Sequence, residues 1–156
     1  MYEASDVHYD KPEARFKLTR VGVSGIKKPI SVTRPGKETQ LTATIDLYVD
    51  LPATHKGSHM SRNAEVLEEA IADASEGPTG GLETYAAGLS RALLQRHEYA
   101  TFSEVHISAD YFLDKSAQSG RKTTEVYRLA ASAFGTREPN RIRVKKSIGV
   151  QVVGMT

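Results

Sequence analysis

The segment from Leu41 to Leu51 alternates strictly between apolar and polar side chains. The apolar members are Leu41, Ala43, Ile45, Leu47, Val49 and Leu51, and Thr42, Thr44, Asp46, Tyr48 and Asp50 stand between them. Because successive side chains of a β-strand point to opposite faces, this period of two predicts a strand with one apolar and one polar face. A strand of this kind belongs to a sheet that is covered on one side and meets water on the other.

The other patterns place strands and two amphipathic helices around this one. We predict first a strand from Arg15, with a bulge or a twist between Leu18 and Val21, and then the strand 41–51. Helices beginning at Ser61 or Asn63 and at Leu82 follow, and then strands near 105–113, 123–133 and 142–152. Hairpins on both sides of a helix pair predict an α+β fold, in which both helices pack on one face of an antiparallel sheet. We expect residues 1–14 to be irregular and residues 15–156 to form a single domain.

Composition excludes several classes of function. The chain has 156 residues, a formal net charge of +2 and no cysteine. The charge is too small to favour nucleic acid as a partner, and without cysteine there is no disulfide, thiolate metal site or cysteine nucleophile in these residues. The N-terminus lacks the pattern of a signal peptide and no window approaches the ~20 apolar residues of a membrane span, so we expect a cytoplasmic protein that does not enter membranes.

The polar stretch that follows Pro52 carries the densest set of functional side chains. His55 and His59 are four residues apart, which suits metal ligands on a helix. Pro52 and Gly57 favour a loop instead, so we interpret them as two loop histidines, of which one could contact a ligand. Ser61-Arg62-Asn63 at a helix start combines free backbone N–H groups with a guanidinium and predicts an anion site. Helix capping with a solvated arginine explains the same residues.

Two further patterns keep alternative explanations. Arg141, Arg143 and Lys145 share one face of the last strand, where they could line a phosphate groove or protect an exposed sheet edge. Asp46 and Asp50 fall on the water-facing side of their strand, and we expect both to be exposed. We expect His97 at a helix end, partly buried, and His106 on a sheet face.

Five blocks in the chain resemble, in order, the N-terminal half of the archaeal GTP cyclohydrolase MptA family, which is related to the type IB GTP cyclohydrolases. They are Leu18-Thr-Arg-Val-Gly-Val-Ser, Val49-Asp-Leu-Pro, Lys56-Gly-Ser-His-Met-Ser-Arg-Asn-Ala-Glu-Val, Arg96-His-Glu-Tyr-Ala-Thr and Ile148-Gly-Val-Gln-Val-Val-Gly-Met-Thr. The resemblance implies a tunnelling fold (T-fold), in which strand pairs flank two helices and subunits join their sheets around a barrel. This agrees with the order of elements predicted above.

The resemblance also implies an activity and a set of site residues. The reaction would be an Fe(II)-dependent hydrolysis that opens the imidazole ring of GTP, releases formate and yields a dihydroneopterin phosphate for pterin cofactor synthesis. The implied substrate-binding residues are Lys56, His59, Ser61 and Arg62, with Arg20 and Ser24 as further candidates. No residue of this chain is assigned as catalytic or as a metal ligand.

The chain departs from the family pattern after Thr156. There the family continues into a Cys-Pro-Cys motif that supplies a metal ligand, and then into a second T-fold half. We therefore expect these residues alone to bind no catalytic metal and to turn over no GTP. A homo-oligomer is expected. The Cys-Pro-Cys half is either carried by a second polypeptide, which would then be a further partner, or missing because this chain is a truncated product. The alternative is a non-catalytic T-fold module that binds a purine or pterin or serves only in assembly.

Overall fold

In the part of the chain that the structure describes, a five-stranded antiparallel sheet carries one complete helix, and three further residues are helical. The computed structural model describes residues 17–34, 36–54, 65, 68–69, 80–116, 120 and 122–154. The elements are β1 (Leu18–Arg34), β2 (Lys37–Leu51), α1 (Leu82–Arg96), β3 (Phe102–Ser116), β4 (Lys122–Glu138) and β5 (Arg141–Val152). The strands lie side by side in chain order, and each pairs antiparallel with the next. The predicted α+β class and the antiparallel sheet are confirmed.

Strand β2 carries the core as its alternation predicts. Its six apolar side chains are at most 5% exposed. All of them except Leu51 belong to one core cluster with apolar side chains of β3, β4 and α1. We call this side of the sheet the covered face. The opposite side, which we call the open face, carries Thr44, Asp46 and Tyr48 on β2 and their cross-strand neighbours. Within the described ranges no helix is long and apolar enough to cross a membrane.

Helix α1 is the second of the two predicted helices. It buries Leu82, Tyr85, Leu89 and Leu93 against the sheet, as the spacing of its apolar residues requires. Its C-terminal end is capped from β4, where the guanidinium of Arg137 donates hydrogen bonds to the backbone carbonyls of residues 94, 97 and 100. A cation at this position also suits the negative end of the helix dipole.

The first predicted helix lies mostly outside the described residues. Glu65, Glu68 and Glu69 are described, and all three are helical. Arg96 of α1 forms ion pairs with Glu65 and Glu69, and Lys28 of β1 pairs with Glu68. These contacts place this helical segment beside both α1 and β1.

Strand β4 is longer than its sequence pattern indicates. We predicted that Gly135 to Asn140 would connect two strands, but β4 continues to Glu138 and only residues 139–140 turn. Gly135 lies in the strand because α1 approaches closely there: an added Cβ would lie 2.5 Å from Ser103 Oγ and 2.7 Å from Ser90 Oγ. The glycine therefore marks close packing of the helix on the sheet.

Two polar residues are buried where we expected exposure or partial burial. Asp50 is only 5% exposed, because its carboxylate lies against residues 101–102 at the start of β3. Its carboxylate accepts hydrogen bonds from Thr101 N and Phe102 N, both at 2.8 Å, and from Thr101 Oγ1 at 2.5 Å. His97 is fully buried at the end of α1, with its Nδ1 3.0 Å from the hydroxyl of Tyr99. The prediction that Asp50 meets water was wrong.

Candidate functional site

Two β-bulges in β1 direct polar residues to the open face. The pairing with β2 slips by one residue between Leu18 and Val21, and again between Val23 and Ile26. The first bulge, where the sequence predicts a bulge or a twist, contains Arg20, and the second contains Ser24. A bulge adds an unpaired residue and turns a side chain away from regular alternation. Both of the described candidate residues therefore lie at irregularities of one edge strand.

Arg20 lies over β2 and reaches β3. Its guanidinium carbon is 3.9 Å from the centroid of the Tyr48 ring, and its Nη2 is 3.1 Å from Glu104 Oε1. The arginine side chain is 49% exposed. Stacking on an aromatic ring and pairing with a carboxylate hold the guanidinium in one orientation, while half of the side-chain surface stays exposed.

Glu104 joins this arginine to a histidine and an aromatic pair. The same Oε1 atom lies 2.5 Å from Nε2 of His106, two residues further along β3. The imidazole meets the ring of Phe134 edge-on at 5.8 Å between centroids, and Phe134 stacks with Phe102 at 6.3 Å. The open face thus carries a continuous network from an arginine through a carboxylate and an imidazole to two aromatic rings.

Asp46 fixes the second bulge and borders a groove. Its Oδ1 accepts a hydrogen bond of 2.7 Å from Gly25 N, where the backbone has a φ of +72°. Across the sheet it is the register partner of His106. The groove beside them has a volume of about 380 Å³. Its lining is mainly apolar, with hydroxyl groups from Thr44, Ser108, Ser132 and Ser147. Its size falls within the range of small-molecule sites.

The structure brings together part of the predicted site. Arg20 belongs to the open-face network, and Ser24 is exposed in the neighbouring bulge. The other four candidates, Lys56, His59, Ser61 and Arg62, lie outside the described residues, as do His55 and Asn63. From the sequence, Glu104 has no predicted role, and His106 is predicted only to lie on a sheet face. Their spacing of two residues on the polar phase of β3 was the available signal, because it places both on one face.

Three of the four basic residues of β5 also lie on the open face, and the fourth, Lys146, reaches Thr84 of α1 on the covered face. Arg141, Arg143 and Lys145 are all exposed. The Nε atoms of the two arginines lie 2.5 Å and 2.8 Å from the carboxylate oxygens of Glu138. The hydrogen bond from Arg141, with the charges of both arginines, holds the pKa of the Glu138 carboxyl below its usual value.

The described residues do not fit a catalytic metal. In those ranges no group of three or more histidine, aspartate or glutamate side chains converges to hold an ion. His106 is engaged by one carboxylate, Glu104, and Asp46 by a backbone N–H. These contacts orient the side chains, and they leave fewer metal ligands together than a protein metal site requires.

The fold matches that of a solved enzyme structure. A crystal structure of a uricase from Bacillus fastidious superimposes with a TM-score of 0.52 at 11% sequence identity, over 85% of this chain and 51% of the uricase chain. At this identity the likeness concerns the fold alone. It confirms the tunnelling fold that we predicted.

Sequence comparison identifies the family. A family model described as type I GTP cyclohydrolase folE2 matches residues 4–156. Proteins named GTP cyclohydrolase MptA are 40% identical in Methanobrevibacter smithii, 39% in Methanospirillum hungatei and 41% in Methanococcoides burtonii, over 97%, 99% and 97% of this chain. The chain spans about half the length of these relatives, 48% to 49%. The match extends through almost every residue, and the chain therefore belongs to the type I GTP cyclohydrolase folE2 family.

Proposed function

We propose that this chain forms one part of a GTP cyclohydrolase of the MptA type. The observation that carries the proposal is the family match over residues 4–156, together with about 40% identity to three proteins named GTP cyclohydrolase MptA. Because the chain spans about half of those relatives, the activity belongs in this proposal to a larger enzyme.

The proposed reaction is hydrolytic. Water hydrolyses the two bonds from C8 of the guanine ring of GTP to nitrogen in turn, which consumes two water molecules, and C8 leaves as formate. The freed amino group then condenses with the opened ribose and returns one water molecule. The product is a dihydroneopterin phosphate, with diphosphate as the leaving group where that product carries a single phosphate, and it enters pterin cofactor synthesis. Fe(II) is the proposed cofactor of the complete enzyme, with its ligands outside the described residues of this chain.

The contribution of this chain is to bind and orient the nucleotide. Arg20 supports this role, since its guanidinium is held by Tyr48 and Glu104 while its side chain is half exposed. A preorganised cation of this kind favours an anionic ligand without having to be ordered on binding. Ser24 adds a hydroxyl nearby, and we assign Lys56, His59, Ser61 and Arg62 to the same substrate-binding surface from sequence.

Assembly is the second part of the proposal. The sheet ends in two edge strands, β1 and β5, and β5 exposes Ile148, Val150 and Val152 on the covered side. Exposed strand edges favour pairing with further strands. We propose a cytoplasmic homo-oligomer completed by a polypeptide that supplies the remaining half of the enzyme.

The test measures formate release from GTP under anaerobic conditions with Fe(II). The chain is assayed alone, mixed with the half of the Methanobrevibacter smithii relative that it does not match, and fused to that half. We expect no formate from the chain alone and formate with a dihydroneopterin phosphate from the fusion. A fusion that folds and assembles but releases no formate would contradict the proposal.

A further inference from the structure

The row of cations on β5 lies beside exposed aromatic rings. Lys145 is the register partner of Phe134 on β4, and Arg143 is the partner of Thr136. Phe134 is 37% exposed, although it stacks on Phe102 and meets His106 edge-on. The sequence left two explanations of the cations open, a phosphate groove and protection of a sheet edge.

Edge protection explains only part of this arrangement. Charged side chains on an edge strand hinder unwanted strand pairing wherever they stand. They do not require an aromatic ring on the adjacent strand, exposed on the same face and held by two further rings. A cation next to an exposed ring is the combination that binds ligands with both a phosphate and a planar base.

The neighbouring row adds hydroxyl groups. Ser132 lies two residues from Phe134 on β4, and Ser147 lies two residues from Lys145 on β5, so both point to the open face. Their Oγ atoms are 2.7 Å apart at the groove of about 380 Å³. Hydroxyl groups in the row next to the ring and the cation are suited to hydrogen bonds with a sugar.

We propose that Phe134, Lys145 and Arg143 form a subsite for a nucleoside phosphate. The base stacks on the exposed part of Phe134, and the phosphates lie along Lys145 and Arg143, which are separated by about 7 Å as alternate residues of a strand. Within the described residues Lys145 has no acidic partner, while Arg143 shares Glu138 with Arg141. The ammonium group of Lys145 is therefore the leading phosphate contact.

The same face argues for a single nucleotide over a nucleic acid. Glu104, Asp46 and Glu138 interrupt the positive charge, and the chain carries a net charge of only +2. Nucleic-acid surfaces carry a continuous basic stripe. The inference rests on the proposed function, because GTP is the nucleotide that it places in this subsite.

Calorimetric titration of the 156-residue chain tests the subsite. The probes are GTP, guanosine and inorganic tripolyphosphate. We expect Phe134→Leu to weaken GTP and guanosine about fivefold or more and to leave tripolyphosphate unchanged. Lys145→Gln should weaken GTP and tripolyphosphate about fivefold or more and leave guanosine unchanged. The matched controls, Phe112→Leu and Lys122→Gln, change an exposed ring and an exposed cation elsewhere.

Folding of each variant is checked by its thermal melt. Lys145 is exposed, so Lys145→Gln keeps the test valid even if the ring variant is unstable. The subsite is refuted if the wild-type chain binds none of the three probes, or if both variants bind them as the controls do. Formate release by the fused enzyme is measured separately. If the fusion releases formate and Lys145→Gln binds GTP and tripolyphosphate as tightly as the wild type, the subsite is refuted and the proposed function stands.

Discussion

At the scale of single residues, the buried polar groups Asp50 and Tyr85 have opposite surroundings. Asp50 accepts three hydrogen bonds from residues 101–102. The hydroxyl of Tyr85 is buried and has no hydrogen-bond partner in the described part of the chain. A buried carboxylate that accepts hydrogen bonds stabilises the fold through them. A buried hydroxyl without a hydrogen bond loses its contacts with water and gains no protein contact in exchange, which destabilises the fold. Substitution should therefore act in opposite directions at the two sites.

Asp50→Asn should lower the free energy of unfolding by about 2 to 3 kcal/mol. The amide keeps the shape but loses the charge that strengthens the three hydrogen bonds, and its NH₂ group faces a donor. Urea denaturation measures the change. Asp114→Asn is the control, because that exposed carboxylate accepts one hydrogen bond, from Thr124 Oγ1. Equal effects of the two variants would contradict the role assigned to Asp50.

Tyr85→Phe should leave the chain as stable at pH 7 or slightly more so, and should change its response to alkali. Burial, with a smaller contribution from Glu68, raises the pKa of Tyr85 from 10.0 to about 12. The unfolded chain then loses this proton near pH 10 and the folded chain only near pH 12, so the stability present below pH 10 declines as the pH rises to 12.

Denaturation series between pH 9 and 12 check this prediction. The wild-type chain should lose roughly 2 kcal/mol more than the Tyr85→Phe variant over this interval. Parallel stability curves for the two proteins would show that Tyr85 ionises as easily in the folded state as in the unfolded state.

Arg20→Ala tests the candidate site at the level of one side chain. In the fused enzyme, kcat/KM for GTP should fall about tenfold, since a charge-assisted contact to an anion is removed. Arg91→Ala on the exposed side of α1 is the matched control. If both variants keep wild-type kcat/KM, Arg20 belongs to a structural ion pair with Glu104 only.

At the scale of elements, helix and sheet meet most closely at Gly135. Ser90 of α1 and Ser103 of β3 share a buried hydrogen bond of 2.9 Å above this glycine. Arg137, two residues later, holds the carbonyls at the end of α1. Close approach and capping together position the turn that leads to residues 101–102, which donate to Asp50, so the end of α1 organises one end of the open face.

Gly135→Ala should therefore cost about 2 kcal/mol, because the new methyl group forces the two serines apart. Gly88→Ala is the matched control, and its effect on stability should have the opposite sign. Gly88 is exposed in α1 with nothing within 4 Å of an added Cβ, and alanine should stabilise the helix there by about 0.5 to 1 kcal/mol. Thermal melts of both variants measure the difference, and a shift in the same direction for both would refute the close packing.

The patterns that predict these elements involve residues close together in the sequence. The differences between prediction and structure arise from contacts between residues far apart in the sequence. The alternation in β2 and the apolar stripe of α1 depend on residues a few positions apart, so the sequence predicts both. The continuation of β4 through Gly135 and the burial of Asp50 depend on contacts with α1 and its following turn, far away in the chain. Likewise Arg20 was predicted from a matching block, whereas its link to Glu104 and His106 depends on strand register.

At the scale of the whole molecule, β5 combines an unpaired edge with exposed apolar side chains. Ile148, Val150 and Val152 are 55% to 59% exposed on the covered side of the sheet. If this surface is buried in the proposed assembly, Val150→Lys should shift the protein to smaller species in sedimentation velocity. Val126→Lys, a residue 50% exposed on the open face of β4, should not. Unchanged sedimentation of the first variant would place the assembly contacts elsewhere.

The two bulges in β1 have a consequence for how this chain tolerates changes in length. A bulged strand holds one residue more than its partner across the same span. Deleting that residue restores regular pairing and leaves every flanking apolar side chain on the side it already occupies. Anywhere else in β1 the same deletion would turn one end of the strand over. The strand therefore has two points where it can shorten by one residue without exposing its core, and each of them contains a residue assigned to the substrate, Arg20 or Ser24.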